Sequence, residues 1–486
     1  MVRLFRVFIP VGVVILLITE VLLVVGLYTL AAYLGYDGNP YEYLFLGSGK
    51  LNIALVTISI ILGMYLQDLY SDVHVKSHLL LVQQLCFVLG AAFLIQGAVS
   101  YLDRTLRMPL HIMLYGSSMS IAAIYGWRVL FSRYAFIGGD RLLLVGSSPA
   151  LMEVAAHIQE HPEKGLRIIG ALTDQDTVEV PGTAAAIGAP APGTAAALAV
   201  AAPTPALPGV KFLGGIDSLR EVVASTRPTR IVVGMQERRT RMPIADLLDL
   251  RYSGHLIEEA PSTYERVCGR VCTKELRPSQ LIYSGEFGPR RRMLVYQNLS
   301  NMLVAAVGVV IASPFMLLTA LAVRLSSAGP ILYRQTRVGM DGTTFTLYKF
   351  RSMRVDAEVG TGAVWAQKND PRVTPVGRII RKIRFDELPQ FFNVLRGEMS
   401  LVGPRPERPE FVKILVEQIP YYRQRHAVRP GITGWAQINY KYGDTLEDTI
   451  AKLEYDLYYI KNVSWMLDTY IIFHTAKAML LFRGAQ

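Results

Sequence analysis

With 486 residues, 51% of them hydrophobic and only 18% charged, the chain is too long for one core and too apolar for an ordinary soluble protein. At about 150 residues per domain it holds about three units, and its balance is that of a membrane protein with sizeable soluble parts. A net charge of +11 suits anionic lipid and phosphate groups, and the lack of zinc-finger spacing, an aromatic RNA-binding signature or a long basic tail argues against nucleic acid.

Three cysteines make no disulfide framework: Cys86 sits in an apolar run, while Cys268 and Cys272 have no matching second pair, which fits a reducing cytosol. The eight histidines are scattered, and none is expected to join a ligand cluster.

Four apolar stretches open the chain, at about Phe8 to Tyr33, Leu51 to Leu66, Leu79 to Tyr101 and Pro109 to Phe131. Each approaches the roughly 20 residues that cross about 30 Å of hydrocarbon. A cleaved signal peptide would account for the first alone, and no small-residue cleavage site follows it promptly. The expectation is a four-helix transmembrane domain over 1–135. Arg3 and Arg6 precede the first run, and Arg128, Arg133 and Arg141 mark the end of the fourth, whereas 35–50 is nearly free of cations. Both ends should therefore be cytoplasmic. Glu20, an acid inside the first run, points either to function or to a helix-packing partner.

Residues 136–285 read as an α/β domain. Arg141-Leu-Leu-Leu-Val-Gly146 has the pattern of a buried parallel strand turning at a glycine, Leu151 to Gln159 that of a helix, and Leu166 to Leu172 that of a second strand. Further strand and helix signals fall at Lys211 to Leu213, Ile216 to Ser225, Arg230 to Gly234 and Ile244 to Tyr252. The first turn reads Gly146-Ser-Ser-Pro rather than G-x-G-x-x-G, so the dinucleotide fingerprint is incomplete. We expect a degenerate Rossmann-like domain used for assembly or regulation, a natural surface for a homodimer. Between 180 and 210 the sequence becomes Ala, Pro, Gly and Thr, with PGTAAA repeated at Pro181 and Pro192, and reads as a disordered insertion.

A fifth apolar run, Leu303 to Leu325, is broken at Ser313-Pro314. Arg290, Arg291 and Arg292 precede it, and Arg324, Arg334, Arg337, Lys349 and Arg351 follow, so both flanks should lie on the cytoplasmic side. Proline removes one backbone hydrogen bond and bends the helix, and the serine hydroxyl can satisfy the freed carbonyl. The expectation is a re-entrant helix over 294–325 that dips into one leaflet and returns. Beyond it, β-type patterning around Met340-Asp341-Gly342 predicts a hairpin that delivers Lys349 and Arg351 towards phosphates.

The chemistry concentrates between Arg381 and Pro406. An adjacent acid pair, Asp386 and Glu387, lies among Arg378, Arg381, Lys382 and Arg384, ahead of a Pro404-Arg405-Pro406 turn. An aspartate can attack phosphorus, a neighbouring carboxylate can hold Mg²⁺, and cations can neutralise phosphate oxygens. Arginine suits this because its planar fork grips two oxygens at once. Arg378, Arg381, Lys382 and Arg405 are thus candidate phosphate contacts. An isolated acid pair, by contrast, is ordinarily a solvated helix face. Leu453, Leu457 and Ile460 recur at helical spacing beside Tyr458 and Tyr459, as an interfacial face or as ordinary core.

Several ordered motifs lift the acid pair above that ordinary case. They are Ser313-Pro314, Gln335-x-Arg337-x-Gly339, the run Tyr348 to Met353, Asp386-Glu-Leu-Pro-Gln390, Ser400-Leu-Val-Gly-Pro-Arg-Pro406 and Arg429-Pro-Gly-Ile-Thr-Gly-Trp435. From about Arg290 to the C-terminus the chain resembles the bacterial polyprenyl-phosphate sugar-1-phosphate transferases, the large monotopic phosphoglycosyl transferases that start exopolysaccharide and O-antigen assembly. The resemblance implies a C-terminal α/β-type catalytic domain over 286–486 on the re-entrant helix, at the cytoplasmic face of the bacterial inner membrane. It implies that Asp386 is the nucleophile, that Glu387 binds Mg²⁺, and that Asp456 and Asp468 lie near the site. The implied substrates are a UDP-sugar and undecaprenyl phosphate, with UMP released through a covalent aspartyl intermediate. The rival readings are a membrane-anchored nucleotide-sugar dehydratase or reductase working through the Rossmann-like half, and a non-catalytic membrane scaffold.

Overall fold

The computed structural model describes residues 11–36, 38–70, 77–134, 140–162, 165–173, 209–235, 242–283, 291–355, 370–440 and 445–481, with short pieces at 2–4, 7–9, 75, 207, 357 and 443. It is mostly helical, with one five-stranded parallel sheet. The chain is a membrane protein with four candidate spans, although they are not the four expected.

After a short hairpin (β1, Val2–Leu4; β2, Val7–Ile9) come α1 (Val11–Gly35), α2 (Gly49–Leu66), α3 (His78–Leu102) and α4 (Leu110–Tyr134). The first three helices are long and apolar enough to cross a membrane, and the fourth candidate span is Arg292–Ser326. The expected span at Pro109 to Phe131 is present as α4, but Gly116, Ser117, Ser118, Ser120 and Arg128 dilute its apolar run. Part of this polar set faces α1: Tyr28 and Ser117 share a hydrogen bond of 2.8 Å, and nearby Trp127 Nε1 donates to Thr19 Oγ1 at 2.9 Å. Glu20 is fully buried and accepts from Arg128 Nε at 2.6 Å and Nη2 at 3.1 Å, while the Tyr70 hydroxyl donates to it at 2.7 Å. Of the two readings of Glu20, the packing partner is the one seen. Arg128, counted above as a flanking cation, is instead buried inside the bundle.

The second unit places β3 (Asp140–Gly146), β4 (Leu166–Leu172), β5 (Phe212–Gly214), β6 (Arg230–Gly234) and β7 (Leu256–Glu259) in the order β5-β4-β3-β6-β7, all parallel. Helices α5 (Pro149–Glu160), α6 (Leu219–Thr226), α7 (Ile244–Tyr252) and α8 (Ala260–Cys268) complete it. Strand β3 is central, so Leu142 to Val145 are buried without exception. Strand β7 escaped the sequence reading because it is a short edge strand, Leu-Ile-Glu-Glu, with no apolar run. The expected insertion lies outside the described residues apart from Leu207, Gly209 and Val210, and Leu207 and Val210 pack on the sheet.

At the N-terminus of α5, where a complete fingerprint would cradle a pyrophosphate, Glu275 Oε1 accepts from Ala150 N at 2.7 Å. The domain fills this position with its own carboxylate, supplied by the chain that follows α8.

A short helix α9 (Pro278–Tyr283) precedes α10 (Arg291–Ser326), 36 residues long with Pro314 inside it. Proline has no N–H, so the carbonyl four residues back, Val310 O, loses its helical donor. Ser313 Oγ donates to Val310 O at 2.8 Å, as the sequence reading anticipated. One side of α10 is exposed at Leu303, Val307, Val310, Leu317 and Leu321, while Ala305, Thr319 and Val323 are buried. The expected flanking cations Arg290 and Arg291 lie outside the described side chains.

The rest of the unit is not a layered α/β sheet. It has two small ladders, an antiparallel hairpin (β8, Leu332–Val338; β9, Thr344–Phe350) and a parallel pair (β10, Ser400–Val402; β11, Gly431–Thr433). The hairpin turns at Met340–Gly342, as expected, with Asp341 at φ 55°. Helices α11 (Pro375–Lys382), α12 (Gln390–Leu395), α13 (Pro409–Gln418), α14 (Trp435–Asn439), α15 (Leu446–Asn462) and α16 (Trp465–Leu480) surround these ladders. Leu453, Leu457, Tyr458, Tyr459 and Ile460 of α15 are all buried, so that pattern is core rather than an interfacial face.

Candidate active site

The acid pair follows α11, which starts at an N-cap, Thr374 Oγ1 accepting from Gly377 N at 2.9 Å, with Pro375 in the first turn. Ile380 anchors the helix in a small core with Val323 and Phe350, leaving Arg378 and Lys382 exposed. Arg384 then adopts a left-handed φ of 57°, which ends the helix and starts a 3₁₀ turn at Phe385–Glu387. In such a turn successive side chains diverge by about 120°. Asp386 and Glu387 therefore enter different surroundings.

Glu387 is ringed by cations. Lys349 Nζ donates to its Oε1 at 2.8 Å, with an Arg384 Nη1 at 3.6 Å from Oε2 and an Arg405 Nη1 at 3.9 Å from Oε1. Burial alone would raise its pKa, but Lys349, Arg405 and Arg384 outweigh burial and hold the carboxyl well below its usual range. Asp386 is only 8% exposed. Burial, reinforced by the negative charge of Glu387, pushes it above the usual range against the opposing pull of Lys349, Arg381 and Arg405. Two adjacent acids with pKa values driven apart are a functional-site signature, since one stays ionised while the other is destabilised as an anion.

Both acids line a cleft of about 1780 Å³, together with Lys349, Arg378, Arg381, Lys382 and Arg405. Tyr440, Thr449, Lys452 and Asp456 line it as well. Arg351 also lines the cleft, but its guanidinium is buried against the end of α10, donating to Ala328 O at 2.9 Å and to Ser327 O at 2.7 Å. Its head group therefore closes the membrane-length helix.

Arg405 is positioned by two of the sequence motifs together. Strands β10 and β11 pair in parallel, Gly403 N donates to Thr433 O at 2.9 Å, and Gly431 N donates to Pro404 O at 3.0 Å. A Cβ on Gly403 or Gly431 would collide with the opposing backbone, so this approach requires glycine on both sides. Arg337 Nη1 braces the turn at Pro406 O, 3.0 Å away. Below the turn, buried Arg425 donates to Arg405 O at 3.0 Å and to Asp456 Oδ2 at 2.9 Å. Burial pushes Asp456 up to about 6 although Arg425 pulls the other way.

Asp456 thus reaches the site through Arg425, a residue the sequence reading missed. The only sequence signal was the basic cluster just ahead of the Arg429 motif. Asp468 is not among the cleft residues. It accepts from Tyr459 Oη at 2.8 Å and from Gln297 Nε2 at 2.5 Å, tying α10, α15 and α16 together. Ser313 and Pro314 lie outside the cleft lining too, but Phe315 beside them touches Phe385.

The candidate site is therefore a divided acid pair among cations, on a wide cleft next to a membrane-length apolar helix. Residues 292–482 match the family described as bacterial sugar transferase. The chain is similar to several curated proteins, among them the following. The UDP-N-acetylgalactosamine-undecaprenyl-phosphate N-acetylgalactosaminephosphotransferase of Aeromonas hydrophila is 46% identical over 46% of this chain and 52% of its own length. The UDP-glucose:undecaprenyl-phosphate glucose-1-phosphate transferase of Escherichia coli K12 is 38% identical over 54% of this chain and 57% of its own. The exopolysaccharide production protein PSS of Rhizobium leguminosarum is 42% identical over 39% of this chain and 94% of its own. The chain spans about half the length of the first two, and nearly all of the third. It belongs to the bacterial sugar transferase family.

Proposed function

We propose that the protein transfers a sugar-1-phosphate from a UDP-sugar to undecaprenyl phosphate, releasing UMP, as the initiating step of exopolysaccharide or O-antigen synthesis. The observation that carries this reading is the divided acid pair on the cleft, with Asp386 buried and destabilised as an anion beside Glu387, whose carboxylate Lys349 holds ionised at 2.8 Å. The names of the Aeromonas and Escherichia relatives support the two substrate classes, and they differ in the sugar. The cleft of about 1780 Å³ exceeds the roughly 300–1,000 Å³ of a usual small-molecule site, leaving room for a nucleotide sugar and a lipid phosphate.

In the first step a carboxylate oxygen of Asp386 attacks the sugar-bearing phosphorus. The bond from that phosphorus to the bridging oxygen breaks, UMP leaves, and a sugar-phosphoryl ester of Asp386 is left. In the second step a phosphate oxygen of undecaprenyl phosphate attacks the same phosphorus, the Asp386 carboxylate departs, and polyprenyl-diphospho-sugar forms. Arg405, Arg378, Arg381, Lys382 and Lys349 neutralise phosphate oxygens as charge moves.

The residues present fit Mg²⁺. Glu387 is an ionised hard-oxygen donor whose Oε2, among the described residues, is engaged loosely, by Arg384 at 3.6 Å, and Mg²⁺ ordinarily takes one or two carboxylates plus substrate phosphates. Glu387 would hold the ion, which when bound supplies further neutralisation of the diphosphate.

In the same reading α10 is re-entrant, and the catalytic unit lies on the cytoplasmic face of the inner membrane. A straight helix of 36 residues would be about 54 Å long, far more than one bilayer core needs. Met293, Leu294 and Ala305 from its first half and Met316, Ala320 and Val323 from its second pack on the same unit, which favours a helix that returns to one side. A homodimer through the Rossmann-like and membrane domains completes the reading, and light scattering in detergent tests it.

The function is tested by UMP release from a panel of UDP-sugars with Mg²⁺ and undecaprenyl phosphate. Multiple-turnover release that depends on both sugar and lipid, beyond the single equivalent formed without lipid, and that Asp386→Asn and Glu387→Gln both abolish, is the expected result. Absence of release with every donor would refute it.

A further inference from the structure

Away from the acid pair, the last turn of α5 brings together three ligating side chains that the sequence reading treated as scattered. The segment is His157-Ile-Gln-Glu160-His161. His157 and Glu160, three apart, share one face of the helix, and His161, the C-cap just past its end, turns its ring onto the same side. One ligand atom from each lies within 4.8 Å of the others, and the two imidazole rings stand 4.4 Å apart between centroids. Two imidazoles and a carboxylate at that separation can close on one ion.

We propose that His157, Glu160 and His161 form a binding site for a divalent transition metal, of the Zn²⁺, Ni²⁺ or Co²⁺ class, on the Rossmann-like domain. The donor set selects the class: imidazole nitrogen suits these borderline ions, whereas the all-carboxylate Asp386 and Glu387 pair suits a hard ion. Three protein ligands leave at least one position to water, so the site is open to solvent. Glu160 is exposed and the two histidines half-buried, which gives an ion access from one side.

The backbone holds the ligands ready. Val154 and Ile158 anchor the turn in the core, and His161 N donates to His157 O at 3.0 Å, closing the last helical turn. The site also sits at the C-terminal end of the helix, where the backbone dipole favours a cation. A bound ion would pin the end of α5 to the chain leading into β4, and an ion that binds only the folded domain raises its stability by mass action. The proposal does not depend on the transfer reaction.

The test uses full-length protein in detergent, purified without a polyhistidine tag and stripped with chelator. Isothermal titration with Zn²⁺, and the visible absorption of added Co²⁺, report occupancy directly. The expected result is one equivalent bound, at least tenfold weaker in His157→Ala/His161→Ala, and a Zn²⁺-dependent rise in melting temperature that this double variant loses. Glu160→Gln, at an exposed position, serves as the variant whose folding is not in question and should weaken binding with an unchanged metal-free melting temperature. Binding that is absent from the native protein, or equal in native protein and all variants, would overturn the site.

Discussion

Phe315 and Phe385 meet edge to face, with ring centroids 5.7 Å apart and planes at 63°. One follows Pro314 in the apolar helix and the other precedes Asp386, so the helix break and the acid turn are a single packed unit. An edge-to-face pair contributes about 0.5–1.5 kcal/mol beyond area burial. Phe315→Ala should lower the turnover of UMP release about 3- to 10-fold by loosening the turn, with little change in KM for the UDP-sugar. A KM effect with unchanged turnover would place Phe315 in binding instead.

The raised pKa of Asp386 fixes the pH response. The attacking carboxylate must be ionised, so activity should rise with pH through a midpoint above the ordinary aspartate value. The stability sign is opposite: folding favours the protonated acid, so this contribution is present below the unfolded pKa and lost as pH rises through the folded one. Asp386→Asn should therefore melt at a higher temperature than the native protein at neutral pH, with the gap closing towards pH 4 in a thermal scan.

Arg425 acts through Arg405 and Asp456. Asp456→Asn weakens the buried contact that holds Arg425 under the Arg405 carbonyl, and should lower kcat/KM for the UDP-sugar about 10-fold. Because the three residues form one chain, Arg405→Lys should cost less in the Asp456→Asn background than in the native protein. Additive losses measured in this double-mutant cycle would separate the two positions.

In the membrane bundle, breaking a buried ion pair strands a charge, at a cost of about 3–5 kcal/mol. Glu20→Ala or Arg128→Ala should each reduce folded yield and melting temperature in detergent, while a paired apolar replacement, Glu20→Leu with Arg128→Met, should recover most of the loss.

The parts legible in the sequence were those decided by nearby residues. The hairpin turn at Met340–Gly342, the Ser313 hydroxyl bonding Val310 O, and the pairing of Glu387 with nearby Arg384 all follow from local chemistry. The rest depended on distant partners. Arg351 looked like a phosphate ligand until the end of α10 arrived beside its guanidinium, and Arg128 looked like a flanking charge until Glu20 met it across the bundle. Asp468 is directed by Gln297, 171 positions away, which no spacing rule reveals. The spacing of His157, Glu160 and His161 is visible in the sequence, but only the fold shows that their ligand atoms converge to within 4.8 Å.

The most direct measurement is intact-protein mass spectrometry after incubation with Mg²⁺ and a UDP-sugar, with no lipid acceptor present. A covalent aspartyl step adds one sugar-phosphate mass per chain, mapped to the peptide containing Asp386, with a matching equivalent of UMP and no adduct in Asp386→Asn. UMP formed only when both substrates are present, without any adduct, would contradict a covalent aspartyl step and point to direct transfer between the bound substrates.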